Sequence, residues 1–296
     1  MTNTKHKAGY VNIIGNPNVG KSTLMNALVG ERISIITSKA QTTRDRIMGI
    51  VNGENFQIVY SDTPGIINPG YKLHEKMMKF VNTAFSDADI LLFVTDITEK
   101  EESVAEITSK LQNAKQPILL LINKIDLTNQ DIVEQLVQSW SKRLKNAKVL
   151  PISALEKFNT SAIFDLIIEY LPECPPYFPK DQLTDKPERF FVAEILREKV
   201  FKYYKKEIPY SVAILIDTYK EDKEIIKIRA EIIVERESQK GIIIGHKGKA
   251  LKNVGSTARR DMENFLQKHV FLETYVKVNK DWRKNDRSLK NLGYNS

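Results

Sequence analysis

Five short aliphatic runs dominate the first part of the chain: Tyr10–Ile14, Phe56–Tyr60, Ile90–Val94, Ile118–Ile122 and Val149–Ile152. Each is nearly continuous in apolar residues, the pattern of strands covered on both faces. Helix-length segments separate them: Ser22–Val29, Tyr71–Phe85, Glu102–Asn113, Asp131–Lys145 and Thr160–Tyr170. Such alternation predicts an α/β fold, a mostly parallel sheet with helices on both faces. Arg46–Asn52 reads as an edge strand in a hairpin with Phe56–Tyr60.

The alternation stops at Leu171–Pro179, which carries four prolines and can be neither helix nor central strand. From Arg189 the order changes: a helix over Arg189–Tyr204, strands over Tyr210–Thr218 and Ile225–Glu235, and a short helix or turn over Ser238–Ile244. A helix over Lys249–Gln267 and a strand over Val270–Val278 follow. A length of 296 residues favours two domains. The expected division is a first domain over 1–172, a proline-rich linker over 173–187, and a smaller α+β domain over 188–296. Charge changes at the same place. Residues 1–175 hold 19 Lys+Arg and 19 Asp+Glu, so the whole +8 excess lies in the remaining 121 residues. A basic second domain suggests a polyanionic partner. One cysteine, Cys174, excludes a disulfide framework, a disulfide-linked partner and a cysteine-rich zinc site. It fits a reducing cytoplasm. The polar start at Met1–Lys7 resembles no secretory signal, and no apolar run approaches the length of a membrane span.

Gly15-Asn16-Pro17-Asn18-Val19-Gly20-Lys21-Ser22 fits the phosphate-loop pattern G-x-x-x-x-G-K-[ST], with a strand before it and a helix after it, and Thr23 joins the expected nucleotide-binding residues. Backbone N–H groups of such a loop converge on phosphate oxygens, and the helix dipole faces the same anion. Lys21 is expected to reach the β- and γ-phosphates, and the Ser22 hydroxyl to bind Mg²⁺. Asp62-Thr63-Pro64-Gly65 ends the next strand, where Asp62 can hold Mg²⁺ and the Gly65 N–H can meet the γ-phosphate. Asn123-Lys124-Ile125-Asp126 follows Ile118–Ile122. The Asp126 carboxylate offers two acceptors to the ring N–H and exocyclic amine of guanine, a donor pair that adenine does not present. The backbone of Ser153-Ala154-Leu155 lies where it can read the guanine oxygen. All four elements fall at carboxyl ends of strands, where open sheets bind ligands.

This set resembles the translation-factor-like branch of the small GTPases. The resemblance implies that Asn123 and Lys124 pack on the base. It also implies that a threonine of Gln41-Thr42-Thr43-Arg44 closes over Mg²⁺, Thr43 being the first choice and Thr42 the second. Many such enzymes orient the attacking water with a glutamine after D-x-x-G, but here Ile66 stands there. Slow hydrolysis is therefore expected. Relatives with the same loop asparagine hold K⁺ with it, which makes Asn18 the candidate K⁺ ligand. Lys21, Asn18, Thr43 and Gly65 form the expected catalytic set.

In the basic domain, Ile242-Ile243-Ile244 precedes Gly245-His246-Lys247-Gly248 and a helix beginning near Lys249. Gly-x-x-Gly arises about once by chance in a chain this long. Its aliphatic lead, internal lysine and following helix make it a candidate clamp for a sugar–phosphate backbone. Ile242, Ile243 and Ile244 can line a groove for bases, although core packing suits at least one of them equally well. Arg259 and Arg260 read as RNA contacts or as a solvated face. The order helix-strand-strand-helix-helix-strand resembles a type II KH domain, whose loop clamps single-stranded RNA. With the closing segment Tyr275–Tyr294, these motifs make the chain similar to the bacterial Era GTPases over nearly its whole length. That resemblance implies GTP and GDP as ligands, Mg²⁺ as cofactor, and the single-stranded 3′ end of 16S ribosomal RNA as partner. It also implies a role in 30S subunit assembly, and a cytoplasmic protein able to associate peripherally with the inner membrane. Two competing readings are an RNA chaperone whose GTPase only times release, and a membrane-surface GTPase with a lipid-binding basic domain.

Overall fold

The computed structural model describes residues 5–294; Met1–Thr4 of the polar start, and Asn295 and Ser296, lie outside them. The described residues form two compact units. The first takes in the residues up to Ser34, Thr43–Asn68 and Met77–Asp185; the second takes in Ile35–Thr42, Pro69–Lys76 and the residues from Lys186 on.

The first unit is built on β1 (Lys7–Ile14), α1 (Lys21–Val29), β2 (Ile47–Asn52), β3 (Phe56–Asp62), α2 (Lys72–Ser86, from Met77 on), β4 (Ile90–Asp96) and α3 (Glu101–Gln112). It continues with β5 (Ile118–Asn123), α4 (Gln130–Arg143), β6 (Ala147–Pro151) and α5 (Thr160–Tyr170). Its sheet runs β2-β3-β1-β4-β5-β6. β2 is antiparallel to β3 and every other pair is parallel. The central strands β4 and β5 are buried along their entire length, as continuous apolar runs require. Ala84 of α2, Val104, Ile107 and Leu111 of α3, and Trp140 of α4 pack with Phe93, Leu91 and Leu120 of the sheet. The Trp140 ring meets Phe93 edge-on at 5.8 Å. Parallel order sends the ends of β1, β3, β4, β5 and β6 to one edge, which gathers the loops that carry the motifs.

The second unit contains α6 (Glu188–Tyr203), α7 (Ile208–Ser211), β7 (Ala213–Glu221), β8 (Ile225–Val234), α8 (Glu237–Ile244), α9 (Lys249–Leu266), β9 (His269–Val278) and α10 (Asp286–Asn291). Its sheet has the order β7-β8-β9, antiparallel then parallel. Val192, Leu196 and Val200 of α6 share one core with Ile243 of α8, Val254, Ala258 and Met262 of α9, and alternate residues of β8. Two expectations need correction. Tyr210 and Ser211 belong to a helical turn rather than to the strand that follows, because Pro209 stands at its start, where a missing N–H costs nothing. After β9 the chain adds a 3-10 turn over Trp282–Lys284 and α10, neither of which the apolar pattern revealed. Trp282 is buried and donates its indole N–H to the Ser211 carbonyl at 3.0 Å. Among the described residues, no helix is long and apolar enough to cross a membrane.

Candidate functional site

β1 ends at Ile14 and α1 begins at Lys21, so Gly15–Gly20 is the connecting loop. Gly20 has φ +99°, and a Cβ there would lie 2.2 Å from Asn123 Nδ2. Only glycine suits both constraints. Lys21 is buried and donates to the Gly15 and Asn16 carbonyls at 3.1 and 2.8 Å. Burial pushes its pKa down to about 8, against the pull of Asp62 and Glu99. A cation held this way gains strongly from an incoming polyanion. Asn18 is exposed with φ +67°.

Three oxygen donors meet beside the start of α1. Ser22 Oγ donates to Asp62 Oδ2 at 2.7 Å and lies 2.9 Å from Thr43 Oγ1, and Thr43 Oγ1 donates to Asp62 Oδ2 at 3.3 Å. The Thr42 hydroxyl instead bonds Thr37 Oγ1 and the Lys39 carbonyl, both at 2.6 Å. Asp62 is fully buried, and burial raises its pKa against the hydrogen bonds of Ser22 and Thr43 and the charge of Lys21. Its Oδ1 is buried without a hydrogen-bond partner. An unsatisfied carboxylate oxygen beside two hydroxyls is a donor set suited to a hard cation such as Mg²⁺. The Ile66 N–H donates to the Gly15 carbonyl at 3.2 Å, which brings the Asp62–Gly65 loop against the phosphate loop. The Ile66 side chain packs on the helix-covered core, and the Thr63 hydroxyl is taken by the Ile13 carbonyl at 2.7 Å.

At the base-reading end, Asn123 is buried; its Nδ2 donates to the Val19 carbonyl at 2.8 Å, and its Oδ1 accepts from the Ala154 N–H at 2.9 Å. Its amide thus joins three loops. The Leu155 side chain is exposed. The Ser153 hydroxyl accepts from the Glu156 N–H at 3.1 Å. Asp126 stands exposed on a 3-10 turn over Ile125–Leu127.

Lys124 has φ +64° and donates to Asp96 Oδ2 at 2.5 Å. Burial opposes ionisation of Asp96, yet hydrogen bonds from Lys124 and Thr98 together hold its pKa below the usual carboxylate value. Glu99, in the same turn, is pushed up by burial, against hydrogen bonds from Thr95 and Asn16. Sequence reasoning missed both carboxylates. The only available signal was their position at the end of β4, on the edge where the recognised motifs gather.

The glycine loop of the second unit joins α8 to α9. Gly245 has φ +69° and a Cβ there would lie 2.6 Å from Ala250 Cβ, so the α9 backbone approaches too closely for a side chain. His246, Lys247 and Lys249 are exposed around the start of α9, and Lys247 has φ +50°. Of the three isoleucines, Ile242 is 51% exposed, Ile244 is half-buried, and Ile243 is fully buried in the core. Ile243 therefore lines no groove. Its carbonyl accepts the Tyr204 hydroxyl at 2.6 Å. Arg259 pairs with Glu263 one turn along α9 at 2.8 Å, as on a solvated face.

A parallel sheet whose edge collects a phosphate loop, an Asp–Ser–Thr oxygen cluster and an Asn-Lys-x-Asp turn defines a P-loop GTPase. Residues 10–124 match the family described as "50S ribosome-binding GTPase", and residues 207–283 match the KH domain. "GTPase Era" of Staphylococcus haemolyticus is 43% identical over 296 residues, covering 98% of each chain. "GTPase Era" of Alkaliphilus metalliredigens is 46% identical over 292 residues, covering 98% of this chain and 99% of the relative. Among solved structures, Aquifex aeolicus Era bound to GDP and AlF4⁻ superposes with a TM-score of 0.94 at 39% identity over 98% of this chain and 100% of its own. Era in complex with MgGDPNP and nucleotides 1506–1542 of 16S ribosomal RNA gives 0.93 at 40%, with the same coverage. The chain belongs to the Era family of GTPases.

Proposed function

We propose that this GTPase binds the single-stranded 3′ end of 16S ribosomal RNA through its KH domain and acts as a nucleotide-controlled switch in 30S subunit assembly. The observation that carries the reading is likeness over nearly the whole chain to an Era structure that holds MgGDPNP and nucleotides 1506–1542 of 16S RNA together. The working division is a GTPase domain over 1–172, a linker over 173–187 and the RNA-binding domain over 188–296. The site of action is the cytoplasm, with peripheral association at the inner membrane as the finer expectation.

In the nucleotide site, Lys21 and the loop N–H groups of Gly15–Ser22 bind the β- and γ-phosphates, and Asp126 with the backbone of Ser153–Leu155 reads guanine. Ser22, Thr43 and Asp62 would hold Mg²⁺, which neutralises phosphate charge when bound. The Gly65 N–H meets the γ-phosphate. Ile66 has no group to orient water, so hydrolysis is slow unless charge comes from elsewhere. Asn18 would hold K⁺, which supplies that charge near the transferring phosphoryl group. Equal GTPase rates in K⁺ and Na⁺ buffers, or full K⁺ stimulation in Asn18→Ala, would reject the K⁺ assignment.

On the RNA side, Lys247, Lys249, His246 and the start of α9 grip the backbone, while Ile242 and Ile244 border the bases. Titrating the full chain with an oligonucleotide of the 16S 3′ end and with a scrambled control, each with GDP or a GTP analogue, tests the switch. Preference for the natural sequence and tighter binding with the GTP analogue are expected. Equal affinity for the two oligonucleotides removes the RNA assignment; affinity indifferent to nucleotide removes the switch.

A further inference from the structure

Two carboxylates that belong to no recognised motif, Asp96 at the end of β4 and Glu99 in the turn after it, are each tied to a different wall of the nucleotide site. Asp96 holds Lys124 of the base-reading turn at 2.5 Å. Glu99 holds the phosphate loop: its Oε1 accepts from Asn16 Nδ2 at 2.6 Å and its Oε2 from the Thr95 hydroxyl at 2.7 Å. Asn16 Nδ2 also donates to the Ser103 carbonyl of α3 at 3.0 Å. Negative charge beside a triphosphate site works against the ligand by simple repulsion. A half-buried glutamate there has a compensating use, and the geometry shows one.

We propose that Glu99 is a positioning residue for nucleotide binding, which holds the phosphate loop in its receptive shape through Asn16. The inference rests on the assignment of Gly15–Ser22 as the phosphate loop. Asn16 lies between Gly15 and Pro17, in the stretch whose backbone must curl around phosphate oxygens. In the structure, Lys21 donates to the carbonyls of Gly15 and Asn16. When phosphates draw Lys21 away, those two bonds are lost at the moment the loop must keep its form. The Glu99–Asn16 bond does not involve Lys21 and survives the exchange. Glu99 touches no phosphate in this scheme. It acts by preorganisation, sparing the nucleotide the cost of ordering the loop.

The test is equilibrium and stopped-flow titration of the full-length chain with fluorescent GDP and a fluorescent GTP analogue, with Tm measured alongside. Glu99→Ala is expected to weaken both nucleotides about tenfold, mainly through faster release. Asn16→Ala should do the same, and the double variant should bind no worse than either single one. Glu99→Gln, which keeps an acceptor for Asn16, should recover most of the affinity. In steady-state hydrolysis, KM should rise more than kcat falls. Additive losses in the double variant, or a lower Tm with unchanged nucleotide affinity where all variants are folded, would overturn the proposal. Lys21→Ala is measured in parallel. If it binds nucleotide like the wild type, the phosphate-loop assignment itself fails. If it loses nucleotide while Glu99→Ala does not, only the role of Glu99 fails.

Discussion

The chain uses one local device twice. In both Gly15–Ser22 and Gly245–Lys249 a glycine-bounded turn leads into a helix, with lysine at or beside the helix start. The surroundings separate them. Lys21 is buried with its pKa lowered to about 8, while Lys247 and Lys249 are exposed. The first loop is braced by side chains from distant parts of the chain, Asn123 and Glu99 among them. The second rests on Ala250 and the core residue Ile243. A buried, braced loop suits one ligand of fixed shape. An exposed one suits a flexible polymer, where the gain comes from phosphate neutralisation spread over several contacts. The glycines admit phosphate in both cases, and what packs behind them sets the selectivity.

The sharpest way to break this contrast is Lys21→Ala. It should weaken GTP and GDP by more than about a hundredfold, since it removes a desolvated charge–phosphate bond. RNA affinity without nucleotide, measured by filter binding, should stay within about twofold. Next is Asp126→Ala, which should bring the GTP and ATP dissociation constants within about tenfold of each other, as competition titrations would show. Comparable affinities for the two nucleotides in the wild type would instead remove guanine reading from Asp126. A smaller effect is expected from pH. Free Lys21 loses its proton through about pH 8, and bound phosphate favours the ammonium form. Nucleotide affinity should therefore be highest below pH 8 and fall as pH rises past it. Calorimetry in buffers of different ionisation heat should detect proton uptake on binding near pH 8. Smallest of all, Lys247→Ala with Lys249→Ala should weaken RNA several-fold. The salt dependence should become shallower by about 0.7 per lost phosphate contact, with nucleotide affinity unchanged.

Much of this was legible in the residues. β4 and β5 announced themselves because strands covered on both faces must be largely apolar, whereas the edge strand β6 is only partly buried and carries Lys148. The phosphate loop, Asp62 and the Asn-Lys-x-Asp turn were legible because their chemistry demands particular residue types at strand ends. Other features carry no such signature. Tyr210 and Ser211 read as the start of a strand by composition, and only the helical preference for proline at a first turn, here Pro209, argues otherwise. α10 is short, and its main marks are its Asn285 cap, which accepts from the Ser288 N–H at 3.0 Å, and buried Leu289. The bonds of the Asn123 amide to Val19 and Ala154 were not legible, because they join backbone groups distant in sequence. Asp96 and Glu99 look like ordinary solvated acids of a turn. Their partners, Lys124 and Asn16, come together with them only once the sheet has formed.

The Asn123 amide has a mechanical consequence. One planar group clasps Val19 of the phosphate loop on one side and Ala154 of the last loop on the other. These three stretches are thus fastened by a single rivet, and none can swing out without straining the other two. Release of this clasp would free the Ala154 N–H, so amide exchange at Ala154 reads directly how often the three stretches part.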